Sequence, residues 1–168
     1  MDIPITVYSY DKQELCRIIK EKIHNNQSNI TQHHYATIFS SRDDGSWYNK
    51  IAFGINSNIS FQYMPSRHAE MDALNKIKRK RELPRYVDMF VIRISKNGSL
   101  GESRPCIHCI QMLEKSRLTI KHIYYSTNNG TIVREKFNNM KNSNIIHISS
   151  GMRTINRYRK YCQINKQI

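Results

Sequence analysis

His68-Ala69-Glu70-Met71-Asp72-Ala73-Leu74 and, further along, Pro105-Cys106-Ile107-His108-Cys109 decide how this chain is read. Together they offer one imidazole, two thiols and a carboxylate two residues beyond the imidazole. His68, Cys106 and Cys109 make three ligands for a tetrahedral Zn²⁺. The fourth position stays open for water, which separates a catalytic site from a closed structural one. Glu70 is then the candidate acid/base. Each half is weak alone. A His-x-Glu is common, and a Cys-x-x-Cys also serves as a redox pair or as half of a structural zinc site. The redox reading lacks the early position such pairs take in the chain. The structural reading needs a fourth ligand, and His108, lying between the cysteines, points elsewhere on a helix. The conjunction favours catalytic zinc.

Working outward from the motifs gives alternating strands and helices, hence an α/β domain. A helix is expected over Asp11–Asn25, from Leu15, Ile18, Ile19 and Ile23 at helical spacing. His34–Ser40 and Trp47–Ile55 read as a hairpin around Asp43-Asp44-Gly45. A second helix should start at Arg67 or His68 and run to Arg81, before Pro84. Met89-Phe90-Val91-Ile92-Arg93-Ile94 is the clearest buried strand. Pro105 suits a helix start, so a third helix is expected over Cys106–Ser116. Ile120–Ser126 is another strand, and Asn128-Asn129-Gly130 turns it into an antiparallel partner at Thr131-Ile132-Val133. Asn138–Asn144 is polar, and Ile145–Ile148 reads as one more short strand. Both motifs open helices on either side of one strand, so His68, Cys106 and Cys109 can converge on one ion. The dipoles and free N–H groups of those helix starts favour thiolates there.

These residues resemble the cytidine and deoxycytidylate deaminase superfamily, which also includes tRNA adenosine deaminases and polynucleotide cytidine deaminases. The likeness runs over about residues 11–136, most of the 168. His68 to Leu74 matches H-A-E-x-x-A-hydrophobic, Pro105 to Cys109 matches P-C-x-x-C, and Gly54-Ile55-Asn56 matches a G-x-N. The resemblance implies a three-layer fold, with a mixed central sheet of about five strands and helices on both faces. It implies Zn²⁺ as cofactor, held by His68, Cys106 and Cys109, and Glu70 as the catalytic proton carrier. Asn56, Ala69 and Pro105 are the implied substrate contacts, though Asn56 also suits a plain cap on the loop after the strand. The activity implied is hydrolysis of cytosine to uracil in a nucleoside or nucleotide, releasing ammonia. The alternatives are the same chemistry, on cytosine or adenine, in single-stranded DNA or RNA, and a non-catalytic, zinc-stabilised nucleic-acid-binding module. Retention of Glu70 counts against the last. Glu102-Ser103-Arg104 before Pro105 matches neither the tRNA adenosine nor the polynucleotide branch. Asp72 stands where deoxycytidylate deaminases often have Asn, and the hairpin at Asn128-Asn129-Gly130 is like that of free-cytidine deaminases. The superfamily also implies dimers or tetramers.

A length of 168 residues fits one domain, with a basic C-terminal segment from about residue 149. No apolar stretch is long enough to span a membrane, and Met1-Asp2-Ile3-Pro4 lacks a secretory signal pattern, so a soluble, cytoplasmic protein is expected. Cys16 and Cys162 read as two small apolar thiols, since a disulfide is disfavoured in a reducing compartment. The net charge of +14 points to an anionic partner. Richness in Asn, Ile, Tyr and Lys also fits an AT-rich coding sequence. Lys76-Ile77-Lys78-Arg79-Lys80-Arg81 reads first as a solvated helix end. Arg153–Tyr161 interleaves cations and aromatics, which suits nucleic acid and an amphipathic packing helix equally. His33-His34 reads as a strand start.

Overall fold

The structure is a computed structural model that describes residues 32–42, 47–61, 64–78 and 80–153. In chain order come β1 (Gln32–Ser41), β2 (Trp47–Ile55), β3 (Ser57–Phe61), β4 (Met64–Arg67) and α1 (Ala69–Ile77). They are followed by β5 (Val87–Ser95), β6 (Leu100–Gly101), α2 (Ile107–Glu114), β7 (Ile120–Ser126), β8 (Ile132–Lys136) and α3 (Phe137–Lys141). The main sheet runs β2-β1-β5-β7-β8, with β6 paired to the end of β5. It is mixed: β1 is antiparallel to β2 and β5, β5 is parallel to β7, and β8 returns antiparallel. β3 and β4 form a separate small hairpin. This is the expected α/β domain with a mixed central sheet.

Side-chain alternation divides the sheet into two faces. Ala36 and Ile38 of β1, Val87, Met89 and Val91 of β5, and Ile123 of β7 share one core with all three helices. The helices contribute Ala69, Ala73, Leu74, Ile77, Ile110, Leu113, Phe137 and Met140. The opposite face carries Tyr35, Phe90, Ile92, Ile94, Tyr124 and Ile132. Trp47 stacks there on Phe39 at 4.4 Å and meets Tyr124 edge-on at 4.9 Å. Asp88 is fully buried beside them. It accepts from Trp47 Nε1 (3.0 Å) and from the His122 backbone N–H (3.0 Å), so its burial is compensated. The helix expected over Asp11–Asn25, and Cys16 and Cys162, lie outside the described residues. Of the basic tail, only the part up to Arg153 is described, and a helical turn begins at Ser150.

Several expectations need correction. The helix begun at the first motif stops at Ile77, not Arg81, because Ile77 is its last side chain in the core, and Lys78, Lys80 and Arg81 beyond it are exposed. Lys80 N–H bonds back to Ile77 O at 2.8 Å and closes the end as a tight turn. The helix expected over Cys106–Ser116 spans Ile107–Glu114, with Cys106 as its N-cap. Polar Asn138–Asn144 begins inside α3, which Phe137 and Met140 anchor one turn apart. Ile145–Ile148 is not a strand. Its carbonyls are spent elsewhere: Arg104 Nη1 donates to Ile145 O (3.3 Å), and Ile107 N–H to His147 O (2.9 Å). Ile145 and Ile146 stay exposed.

Candidate active site

The topology brings the two motifs together. β2 and β5 both run antiparallel to β1, so their carboxyl ends lie at one end of the sheet. The chain leaves β2 and, through the β3–β4 hairpin, enters α1; it leaves β5 and, through β6, enters α2. Both helices therefore begin at that end. His68 caps α1 and Cys106 caps α2, and neither side chain makes a capping hydrogen bond. N-cap positions normally favour Ser, Asp or Asn for that purpose. Here the N-cap side chains face each other instead.

His68 Nδ1 lies 3.2 Å from Cys109 Sγ and 3.5 Å from Cys106 Sγ. All three donor atoms fall within 4.8 Å of one another. Ordinary Zn–N and Zn–S bonds at a tetrahedral angle place nitrogen and sulfur about 3.6 Å apart. One imidazole and two thiols are also the right donor types for zinc. The group fits such an ion, and His108 is not part of it.

The local protonation is unusual. Cys106 is held down to about 4, chiefly by the hydrogen bond from Cys109 and against the cost of burial. Cys109 is pushed well up by that same bond and by burial. The bond to Cys106 raises the His68 imidazole above its ordinary value. Glu70, the second residue of α1 and buried, is raised by desolvation. His68, Cys106 and Cys109 are the charged and polar side chains that act on its carboxyl.

The other expected site residues are placed as follows. Ala69 and Pro105 are fully buried at the two helix starts. Asn56 follows β2: its Oδ1 accepts from His34 N–H at 2.8 Å, and its own N–H donates to His34 O at 3.1 Å. The Asn56 side chain thus ties the end of β2 to β1 beside the site. Gly54 has a steric reason. A Cβ there would sit 2.1 Å from Ala69 O and 2.4 Å from Ala73 N. Ala69 and Ala73 are small because α1 lies directly against β2. Asp72 accepts from Ile55 N–H (3.2 Å) and pairs with Lys76 (2.7 Å), fastening the helix to the same strand.

Three residues near the site were not singled out from the sequence for it. His34 lies on the helix face of β1 and is lowered to about 4, mostly by burial and then by Arg93, His68 and His147. Arg93 pairs in register with His34. A cation interrupting the apolar run of β5 was the legible signal. Arg104 forms two bonds to Glu135 (3.2 and 3.3 Å) and holds Ile145 O, while His147 Nδ1 bonds Arg104 O (3.2 Å). The segment around His147 is thereby strapped across the start of α2. Lys76 and Lys78 lie at the far end of α1, about 13 Å of helix from the site; Lys76 itself donates to Phe53 O (2.8 Å).

Fold and site together define an α/β domain with a His-Cys-Cys centre at the start of two helices that share one sheet. No protein-family model matches the chain, and no curated protein matches it. Among solved structures, a cytidine deaminase from Burkholderia pseudomallei superimposes with a TM-score of 0.50 at 14% identity, over 76% of this chain and 94% of that one. A dCMP deaminase from the cyanophage S-TIM5 aligns in its apo form with a TM-score of 0.42 at 18% identity, over 72% and 86% of the two chains. The same enzyme in complex with dCMP and dUMP gives 0.42 at 17%, over 74% and 89%. The fold is that of the cytidine deaminases. Among the described residues no helix is long and apolar enough to cross a membrane.

Proposed function

We propose that this chain is a zinc-dependent hydrolytic deaminase that converts cytosine to uracil in a nucleoside or nucleotide. The observation that carries the reading is the convergence of His68, Cys106 and Cys109 within 4.8 Å, with Glu70 buried in the first turn of the helix that His68 caps. These three residues would hold the ion. A bound Zn²⁺ supplies Lewis acidity, lowering the pKa of a water toward neutrality.

The remaining chemistry belongs to the side chains. Water adds its oxygen to C4 of the ring. Glu70 accepts a proton from it and delivers that proton to N3. As the C4–O bond becomes a carbonyl, Glu70 carries the second proton to the exocyclic amine, which leaves as ammonia. A carboxyl raised by burial suits both directions, because its proton affinity is closer to that of its partners. Ala69 and Pro105, fixed in the core, hold the walls beside the ring, and Asn56 contacts the sugar.

A product assay with zinc-loaded protein tests this. Its substrates are cytidine, deoxycytidine, their monophosphates, adenosine, single-stranded DNA and RNA. Ammonia and a uracil product from a cytosine nucleoside or nucleotide is the expected result. No ammonia from any substrate would overturn it. The net charge of +14 favours a second reading, the same reaction on a polynucleotide. That reading requires turnover on single strands that falls steeply with salt.

A further inference from the structure

Glu102-Ser103-Arg104 is where this chain departs from the branches it resembles, and Arg104 is buried there at 9% exposure. Its guanidinium reaches two segments at once. Nε and Nη2 donate to the two carboxylate oxygens of Glu135 on β8, at 3.3 and 3.2 Å, and Nη1 donates to Ile145 O at 3.3 Å. Glu135 also accepts from the Tyr125 hydroxyl of β7 at 3.2 Å. The planar fork of an arginine is at its most directional against a bidentate carboxylate, so the pair fixes position as well as charge. Losing one partner of a buried pair leaves the other uncompensated.

The segment that Arg104 grips also holds the far side of Cys106. His147 Nδ1 donates to Arg104 O at 3.2 Å, and Ile107 N–H, the first of α2, donates to His147 O at 2.9 Å. Positions 104 and 107, which flank Pro105-Cys106, are therefore both tied to Ile145–His147. Ile145 and Ile146 are 69% and 66% exposed, so polar bonds, not apolar burial, hold the segment there. The sheet pins the approach to the loop: Ser103 N–H donates to Ser126 O (2.9 Å) and Ser103 Oγ to Val91 O (2.8 Å). Of the two thiols, Cys106 needs this support. Cys109 lies within α2, and helical geometry sets its place. Cys106 has extended backbone (φ −73°, ψ 161°), and its side chain makes no capping bond.

We propose that Arg104 is a positioning residue for the metal centre. With Glu135 and the Ile145–His147 segment it clamps the backbone on both sides of Cys106, and so sets how tightly His68, Cys106 and Cys109 hold zinc. The proposal rests on the zinc reading of those three residues and not on the reaction. Partners outside the ligand set act in this way when they fix the orientation a ligand must have before the ion arrives.

Competition of the zinc-loaded protein against a chromogenic chelator measures zinc affinity, and the visible absorption of the cobalt-substituted protein reports the geometry of the thiolates around the metal. Arg104→Gln should weaken zinc binding about ten- to a hundredfold and alter the cobalt spectrum. Arg104→Lys should recover part of the affinity, since one ammonium cannot reproduce the fork across Glu135 and Ile145 O. Trp47→Phe removes the bond to Asp88 on the opposite face of the sheet and controls for stability alone; it should leave zinc affinity and the cobalt spectrum as in the parent. His147 is exposed, so His147→Ala deletes its bond to Arg104 O with little risk to folding. It should weaken zinc about fivefold, the worth of one hydrogen bond. Unchanged zinc affinity in His147→Ala, or in a folded Arg104→Gln, would overturn the proposal. So would an equal loss in Trp47→Phe. The two readings fail separately. A parent that holds no zinc removes the metal centre and the clamp with it, while a parent that holds zinc no more tightly than these variants removes the clamp alone.

Discussion

Replacing Gly54 with Ala should damage both the fold and the site through a single methyl group. The backbone at Gly54 is not in the left-handed region, so alanine carries no conformational penalty there. The cost is steric. The new Cβ would lie 2.1 Å from Ala69 O, where ordinary contact begins at 3.4 Å, so the helix start must retreat by about 1.3 Å. Ala73 N at 2.4 Å blocks the same methyl, and neither atom is on a side chain that can rotate away. Overpacking typically costs about 1–3 kcal/mol, and a clash with two backbone atoms belongs at the upper end. About 3 kcal/mol corresponds to a fall of roughly 6–12 °C in melting temperature for a chain of this size. Ala69 lies between His68 and Glu70, so the retreat also carries both away from Cys106 and Cys109. A misplacement near 1 Å lowers turnover on the order of a hundredfold. Gly101→Ala is the control for stability, because the atoms nearest its methyl all belong to the flexible Arg93 side chain. The assays are thermal melting, bound zinc per chain and turnover. A Gly54→Ala protein that melts, binds zinc and turns over like the parent would refute the claim that α1 is seated by this contact.

Glu70→Gln should keep zinc and the melting temperature while losing turnover by at least about a hundredfold; substantial residual rate would remove Glu70 from the proton path. Cys106→Ser should lose zinc and much of the stability, since metal binding and folding are coupled; metal analysis showing full occupancy would disprove its ligation. His34 gives a pH signature. Its folded value of about 4 lies below the ordinary 6.5, so between those values the unfolded chain takes up a proton that the fold refuses. Its contribution is complete above pH 6.5 and is lost as pH falls toward 4, about 3 kcal/mol in all. Denaturant unfolding at pH 7.5 and 4.5 should show that loss reduced in His34→Gln, and identical losses would contradict the burial of the ring.

The motifs made much of this legible because two constraints coincide in them. His68 and Cys106 are candidate ligands, and their places before short apolar helices also announce where those helices begin. The strands were readable wherever β-branched and aromatic residues ran together, as in Trp47–Ile55 and Ile120–Ser126, both of which the structure reproduces at the same boundaries. What escaped depends on contacts distant in sequence. The chain at Ile145–Ile148 has strand-forming residues, yet Arg104 and Ile107 claim its carbonyls from 41 and 40 residues away. Phe137 and Met140 are too few to show helical periodicity, but they suffice once the sheet offers a core to fill. His34 was readable only as a strand start, because its relation to Arg93 is set by strand pairing.

Register connects these observations. A slip of one residue between β1 and β5 would turn His34 to the aromatic face and bring Tyr35 toward the helices. Asn56 opposes such a slip on the other side of β1, holding both the N–H and the carbonyl of His34. Gly54, two residues earlier, seats α1 on the same strand, and Asp72 fastens it through Ile55 N–H. The Gly54-Ile55-Asn56 strand end therefore couples three things that must agree: where α1 begins, which way the side chains of β1 face, and how far His68 stands from the thiols of Cys106 and Cys109. Asn56→Ala should lower stability by about 1–3 kcal/mol, the cost of a backbone donor left unpaired. If the side chain serves the sugar as well, affinity should fall further than the stability loss explains. A variant in which nucleoside affinity is unchanged while stability falls would confine Asn56 to holding the register.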